Sequence, residues 1–188
     1  MRKLGTLSLA LLLIMNSTQA QLLKKLTPVT AFSAALSSVI ENYPNNYNRI
    51  QGASLPSDDD RDIFVSGIGL PGASSCVIYR FHSKEDTTAS WQARLYNGED
   101  YAEAVRIYKS SFKQLKQTRF NAGSTKLGFD GQMEPPAEEL RFTSSILRPS
   151  ERTNLYKNFI AEIEIVGSAT GWSVNLNLFS RKEDTERY

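Results

Sequence analysis

Chemistry-bearing residues are scarce in this chain. Its 188 residues hold one cysteine, Cys76, and one histidine, His82. A lone cysteine forms no intramolecular disulfide, and one Cys with one His cannot furnish a transition-metal cage. The two could not act together either: on a single strand, positions 76 and 82 share a face but lie about 20 Å apart. A Ser-His-Asp triad would have to use His82, and no serine stands in a nucleophile-elbow context. Cys76 opens the apolar run Cys76-Val77-Ile78-Tyr79 and reads as a small buried hydrophobe. His82 ends a strand beside polar residues and reads as a surface histidine. No catalytic residue, metal ligand or cofactor site is assigned from the sequence.

Charge of one sign is missing as well, and so is any long apolar run beyond the first twenty residues. Those twenty are the most informative stretch. Arg2 and Lys3 form a basic head, Leu4 to Met15 is dense in apolar residues, and Asn16 to Ala20 is small and polar. This is the three-part layout of a secretory signal peptide, with cleavage expected after Ala20. The apolar run is shorter than the ~20 residues of a spanning helix. Position 21 is Gln, so no lipoprotein cysteine is available. Removal of residues 1–20 leaves 168 residues, enough for one domain over residues 21–180 with a frayed tail at 181–188. Removal also takes Arg2 and Lys3, leaving twenty basic and twenty acidic residues. A balanced, interleaved charge gives no electrostatic footprint for nucleic acid. The expected product is exported, periplasmic or secreted, with no membrane span after cleavage.

What is present is periodicity. Thr27-Pro28 is a helix start, followed by Val29, Phe32, Leu36, Val39, Ile40 and Tyr43 at helical spacing, and Pro44 ends it. Residues 52–62 read as a loop and Ile63 to Ser66 as a short strand. Val77, Tyr79 and Phe81 form one strongly apolar face of a strand, alternating with Ile78, Arg80 and His82. A polar turn at Ser83 to Thr88 leads to a second strand with Trp91, Ala93 and Leu95 on one face. Asp100 and Glu103 have capping-box spacing before a helix running to about Thr118. Short strands follow at Lys126 to Asp130 and Leu140 to Leu147. The strongest hairpin sets Phe159, Ala161, Ile163 and Ile165 against Trp172, Val174, Leu176 and Leu178. Its other face carries Glu162, Glu164, Asn175 and Asn177 and is wet. The expected fold is α+β: two helices packed on one face of a mainly antiparallel, meander-like sheet. The order hints at two helix-plus-meander halves without a residue-level repeat.

Four constellations carry candidate chemistry. Gly67-Ile68-Gly69-Leu70-Pro71-Gly72 matches G-x-G-x-x-G, but a strand follows where the nucleotide-binding version needs a helix, and Pro71 lacks an N–H. It reads as a turn. Asp58, Asp60 and Asp62 match calcium-loop positions 1, 3 and 5. Ile63 and Gly69 then occupy the Gly and Glu places, which excludes an EF-hand. Glu162 and Glu164 share a strand face about 7 Å apart, a spacing suited to acid–base work, but alternate charged residues on a wet sheet face occur for solubility alone, and that is the preferred reading. Tyr43 and Tyr47 flank Pro44-Asn45-Asn46, and Tyr96 lies opposite Trp91 and Leu95. These three tyrosines are the candidate ligand or partner surface, against the alternative that they cap the core edge.

The stretches Tyr43-Pro44-Asn45-Asn46-Tyr47, Ile50-Gln51-Gly52 and Leu70-Pro71-Gly72-Ala73, followed by Cys76, Trp91 and Leu95-Tyr96, resemble small secreted proteins of unknown function from the Bacteroidota. The resemblance spans about residues 28–180. It implies export and a single α+β domain, and it carries over no catalytic residue. The leading expectation is a non-enzymatic binding domain for a protein, peptide or small ligand, on the ground of a sheet with one face free for contact and no clustered catalytic groups; a concave pocket beside that face is the observation that would discriminate. The alternatives are a hydrolase built on Glu162 and Glu164, and an envelope structural protein that self-associates through a sheet edge.

Overall fold

Two amphipathic helices set the buried side of the domain. α1 (Ala31–Ile40) buries Phe32, Leu36, Val39 and Ile40, and α2 (Tyr101–Gln117) buries Ala104, Tyr108, Ser111 and Leu115. The structure, a computed structural model, describes residues 30–58, 60–82 and 88–181. Residues 1–20, expected to be a signal peptide, the expected Thr27-Pro28 helix start, most of the turn at Ser83 to Thr88 and all but the first residue of 181–188 lie outside the described residues. α2 begins as its sequence indicates: the Asp100 carboxylate accepts from the Glu103 amide at 3.2 Å, satisfying one orphan N–H of the first turn. α1 ends before Tyr43. Pro44 disfavours α geometry at Tyr43, and a 3-10 turn, Tyr43–Asn45, replaces the last helical residues. A second such turn, Asn48–Ile50, follows.

Ten strands accompany them among the described residues: β1 (Gln51–Asp58), β2 (Arg61–Ser66), β3 (Ser75–Phe81), β4 (Ala89–Gly98), β5 (Phe120–Ala122), β6 (Thr125–Leu127), β7 (Phe129–Asp130), β8 (Phe142–Pro149), β9 (Phe159–Ser168) and β10 (Gly171–Ser180). Eight of them form one sheet in the order β1-β2-β3-β4-β10-β9-β8-β7, and β5 and β6 make a separate hairpin. Every neighbouring pair is antiparallel. The fold is α+β, and the helices cover one face of the meander. Each helix precedes its own meander, β1–β4 or β7–β10, and the last strands of the two meanders, β4 and β10, pair at the centre. No helix among the described residues is long and apolar enough to cross a membrane.

Residues 52–62 are not a loop. They hold all but the first residue of β1 and the first two residues of β2. β1 is an edge strand with most residues exposed and two register irregularities against β2. An edge strand that buries neither face has no alternation to read, and its Pro56 is tolerated there.

Core residues come from the helix-side face of the sheet. Trp91, Ala93 and Leu95 of β4, Phe159, Ala161, Ile163 and Ile165 of β9, and Trp172, Val174, Leu176 and Leu178 of β10 form one cluster with the two helices. β3 behaves otherwise. Ile78 joins that core, whereas Val77, Tyr79 and Phe81 point to the distal face, and Phe81 is 49% exposed. The strongly apolar stripe of β3 is therefore turned away from the helices.

An aromatic cluster closes the end of the core where Phe120, Phe129, Tyr156 and Phe159 meet. Buried phenols there and beneath α2 resist ionisation. Desolvation, with the Glu41 and Tyr43 charges behind it, pushes Tyr156 up to about 12. Burial also raises Tyr47 and Tyr108. Between the ordinary value of 10 and these raised values the folded chain holds protons that the unfolded chain releases. The stability Tyr156 contributes in this way is fully present below pH 10 and is lost as pH rises toward 12, and the raised Tyr47 and Tyr108 act in the same direction. Each titrating phenol withdraws up to about 1.4 kcal/mol per pH unit in that window. Urea midpoints measured across it should fall steeply, in step with tyrosinate absorbance. A flat midpoint would contradict the burial.

Candidate functional site

The three tyrosines singled out in the sequence do not form one surface. Tyr47 is wholly buried, and its hydroxyl donates to the Leu178 carbonyl at 3.3 Å. Asn46 and Tyr47 both adopt left-handed backbone conformations, φ 49° and 57°, which reverse the chain and bring Tyr47 into the core. Arg80 holds this turn from the sheet, donating to the Asn46 carbonyl, Asn48 Oδ1 and Gln51 Oε1 at 2.6–2.8 Å. Tyr43 is half-buried, 4.6 Å from the Phe159 ring centroid and stacked on Tyr156 at 5.7 Å. Tyr96 fastens the β4–α2 turn: its hydroxyl donates to the Asp100 carbonyl at 3.1 Å and accepts from the Asp100 amide at 3.2 Å. Tyr43 and Tyr47 are neighbours, 6.2 Å between centroids. None of the three lines either of the two clefts described below.

Of the Asp58, Asp60 and Asp62 constellation, the Asp58 side chain lies outside the described residues. In the Gly67–Gly72 loop the Ile68 amide is spent on Ser66 Oγ and the Leu70 amide on Cys76 Sγ. A phosphate cradle needs such amides free. Strand β3 follows at Ser75, so the segment is a turn. Cys76 faces that loop, and burial raises its thiol above the ordinary range against the opposing Leu70 hydrogen bond. His82 lies past the end of β3 and pairs with Asp62, Nε2 to Oδ2 3.1 Å. Among the described residues no three His, Cys, Asp or Glu side chains converge as metal ligands would. Glu162 and Glu164 stand on the distal face opposite Asn177 and Asn175, and Glu164 accepts from Asn175 Nδ2 at 3.0 Å.

A cleft of about 340 Å³ opens on that distal face across β2, β3, β4 and β10. Strand register builds it. Tyr79 pairs with Ser90, and Phe179 follows directly on the Leu178–Trp91 pair, so Ser90 lies between two aromatic residues. The Arg61 guanidinium sits 5.1 Å from the Tyr79 ring centroid, and the Arg181 guanidinium 5.3 Å from that of Phe179. The next row is polar. Tyr79 donates through its hydroxyl to Gln92 Oε1 at 3.1 Å, and Gln92 Nε2 donates to Asn177 Oδ1 at 2.8 Å. No carboxylate is among the described residues that line it. A second cleft, of about 300 Å³, lies by α2 and the Pro71-Gly72 turn, where Arg106 is already paired with Glu103.

Comparison with protein-family models, curated proteins and solved structures finds no match. Sequence reasoning missed the residues of the distal cleft for a definite cause. The alternation did mark Tyr79 and Phe81 as one face and put Asn177 on a wet face, but β4 and β10 meet across about half the chain.

Proposed function

We propose that this chain is an exported binding domain and that its ligand occupies the distal cleft. The cleft itself carries the reading: a concave site within the size range of small-molecule pockets, set on strands rather than on loops. Its polar groups are amides, hydroxyls and a guanidinium. Such groups hold and orient a ligand, and near neutral pH they do not shuttle protons. The basic, apolar and small-polar succession of residues 1–20 supports export, as does the resemblance to small secreted proteins. Self-association through the β1 edge is disfavoured by Pro56 and by the two irregularities of the β1–β2 register.

The full chain, expressed in a bacterium with its own leader, should be recovered outside the cytoplasm with Gln21 as its first residue. A fragment screen on that product should give hits that Ser90→Trp abolishes. Ser90 faces away from the helices, so the larger side chain fills the cleft without entering the core. Recovery of an uncut cytoplasmic chain would refute the export reading. Hits indifferent to Ser90→Trp would refute the cleft.

A further inference from the structure

Resting on the reading of the distal cleft as a binding site, we infer that its ligand is a small planar carboxylate, an aromatic or heteroaromatic acid. The ring would lie over Ser90 between Tyr79 and Phe179, and the acid would meet the amide row.

Strand spacing leaves room for one flat ring between the two aromatic residues. Tyr79 and Phe179 stand on the two strands that flank β4, two inter-strand spacings apart, or about 9.5 Å. A planar group in contact with a ring on each side needs about 7–8 Å between them, twice the ~3.5–4.0 Å carbon contact distance. Ser90, the small residue between them, leaves that space open.

The direction of the amide row decides the polarity of the ligand. Tyr79 donates to the Gln92 carbonyl, and Gln92 donates to the Asn177 carbonyl. Each side-chain carbonyl is thus engaged by the group before it. One Gln92 N–H and both Asn177 N–H groups are left to donate. Arg61 lines the cleft at the Tyr79 wall, where its guanidinium adds a positive charge. Each carbonyl keeps one lone pair, but the open N–H groups and the guanidinium make the floor rich in donors and positive, which favours a ligand rich in acceptors and negatively charged. A neutral sugar ring could share these hydrogen bonds but brings no charge to meet the guanidinium. The carboxylate on this row, Glu162, stands on β9 beyond Asn177 and does not line the cleft.

The test is titration of the full secreted chain with benzoate, benzyl alcohol and methyl glucopyranoside, read by saturation-transfer NMR. Benzoate should bind at least about tenfold more tightly than the other two, the usual worth of a hydrogen bond to a charged group. Ser90→Trp should abolish its binding. Asn177→Asp, nearly isosteric, should weaken benzoate at least about tenfold while leaving benzyl alcohol within about twofold. Circular dichroism of both variants verifies the fold. Benzyl alcohol or the glucoside binding as well as benzoate, with sensitivity to Ser90→Trp, would overturn the acid and leave the cleft standing. Benzoate binding that ignores Ser90→Trp, or no binding by any probe together with a blank fragment screen, would overturn both.

Discussion

Replacing Trp91 with alanine is expected to cost about 3–5 kcal/mol of folding stability. Trp91 lies on β4 near the centre of the sheet, opposite Ile78 on β3 and Leu178 on β10, and is fully buried. Its removal opens a cavity that neighbours fixed in paired strands cannot fill. It also removes a hydrogen bond. The indole N–H donates to Ser66 Oγ at 2.9 Å, and that hydroxyl in turn donates to the Ile68 carbonyl and accepts from the Ile68 amide. The same side chain thus supports the core and the turn after β2. Against the ~5–15 kcal/mol of an ordinary domain, the loss removes a large share of the total. Denaturant unfolding of Trp91→Ala and Trp91→Phe helps separate the two contributions, since Phe keeps most of the volume and loses the N–H. A cost under about 1 kcal/mol for the alanine variant would contradict the packing described.

Gly171→Ala is expected to cost about 3 kcal/mol through the backbone alone. Gly171 opens β10 at φ 137°, a conformation side-chain-bearing residues rarely adopt. A Cβ there would lie 2.5 Å from the Gly98 carbonyl oxygen and 3.0 Å from its carbon. Both are backbone atoms of β4, held by the Trp172–Gly98 pairing, so the clash cannot be relieved by a rotamer change. Gly123 supplies the control. Its φ is also positive, 68°, but nothing lies within 4 Å of its Cβ position. Gly123→Ala should cost only the ~1–2 kcal/mol of a left-handed residue. Thermal unfolding of the two variants side by side reads the difference, and equal melting temperatures would refute the steric account.

The residues that could be read in advance share one property: a half-buried surface whose contrast is local. Trp172, Val174, Leu176 and Leu178 alternate with polar residues because one side of β10 meets the helices and the other does not. Asp100 announces α2 because capping needs only residues three apart. β1 escaped because it buries neither side. β5 escaped because three residues around Phe120 are too few to show a period. Tyr47 was open to two readings, since nothing in Asn45-Asn46-Tyr47 states that two successive left-handed residues will turn the ring inward.

The sequence by itself determined the α+β class, the two helices with one cap, the main hairpins and the balanced charge that follows if the leader is removed. All of these are written in short-range patterns. Only the tertiary structure decided that β4 and β10 meet at the centre of the sheet, and that the apolar stripe of Val77, Tyr79 and Phe81 faces away from the helices. Periodicity along a strand tells its two faces apart, but which face meets the core depends on the register of strands distant in the chain. Gln92 and Asn177, 85 residues apart, become neighbours only when that register is set, and with them the cleft.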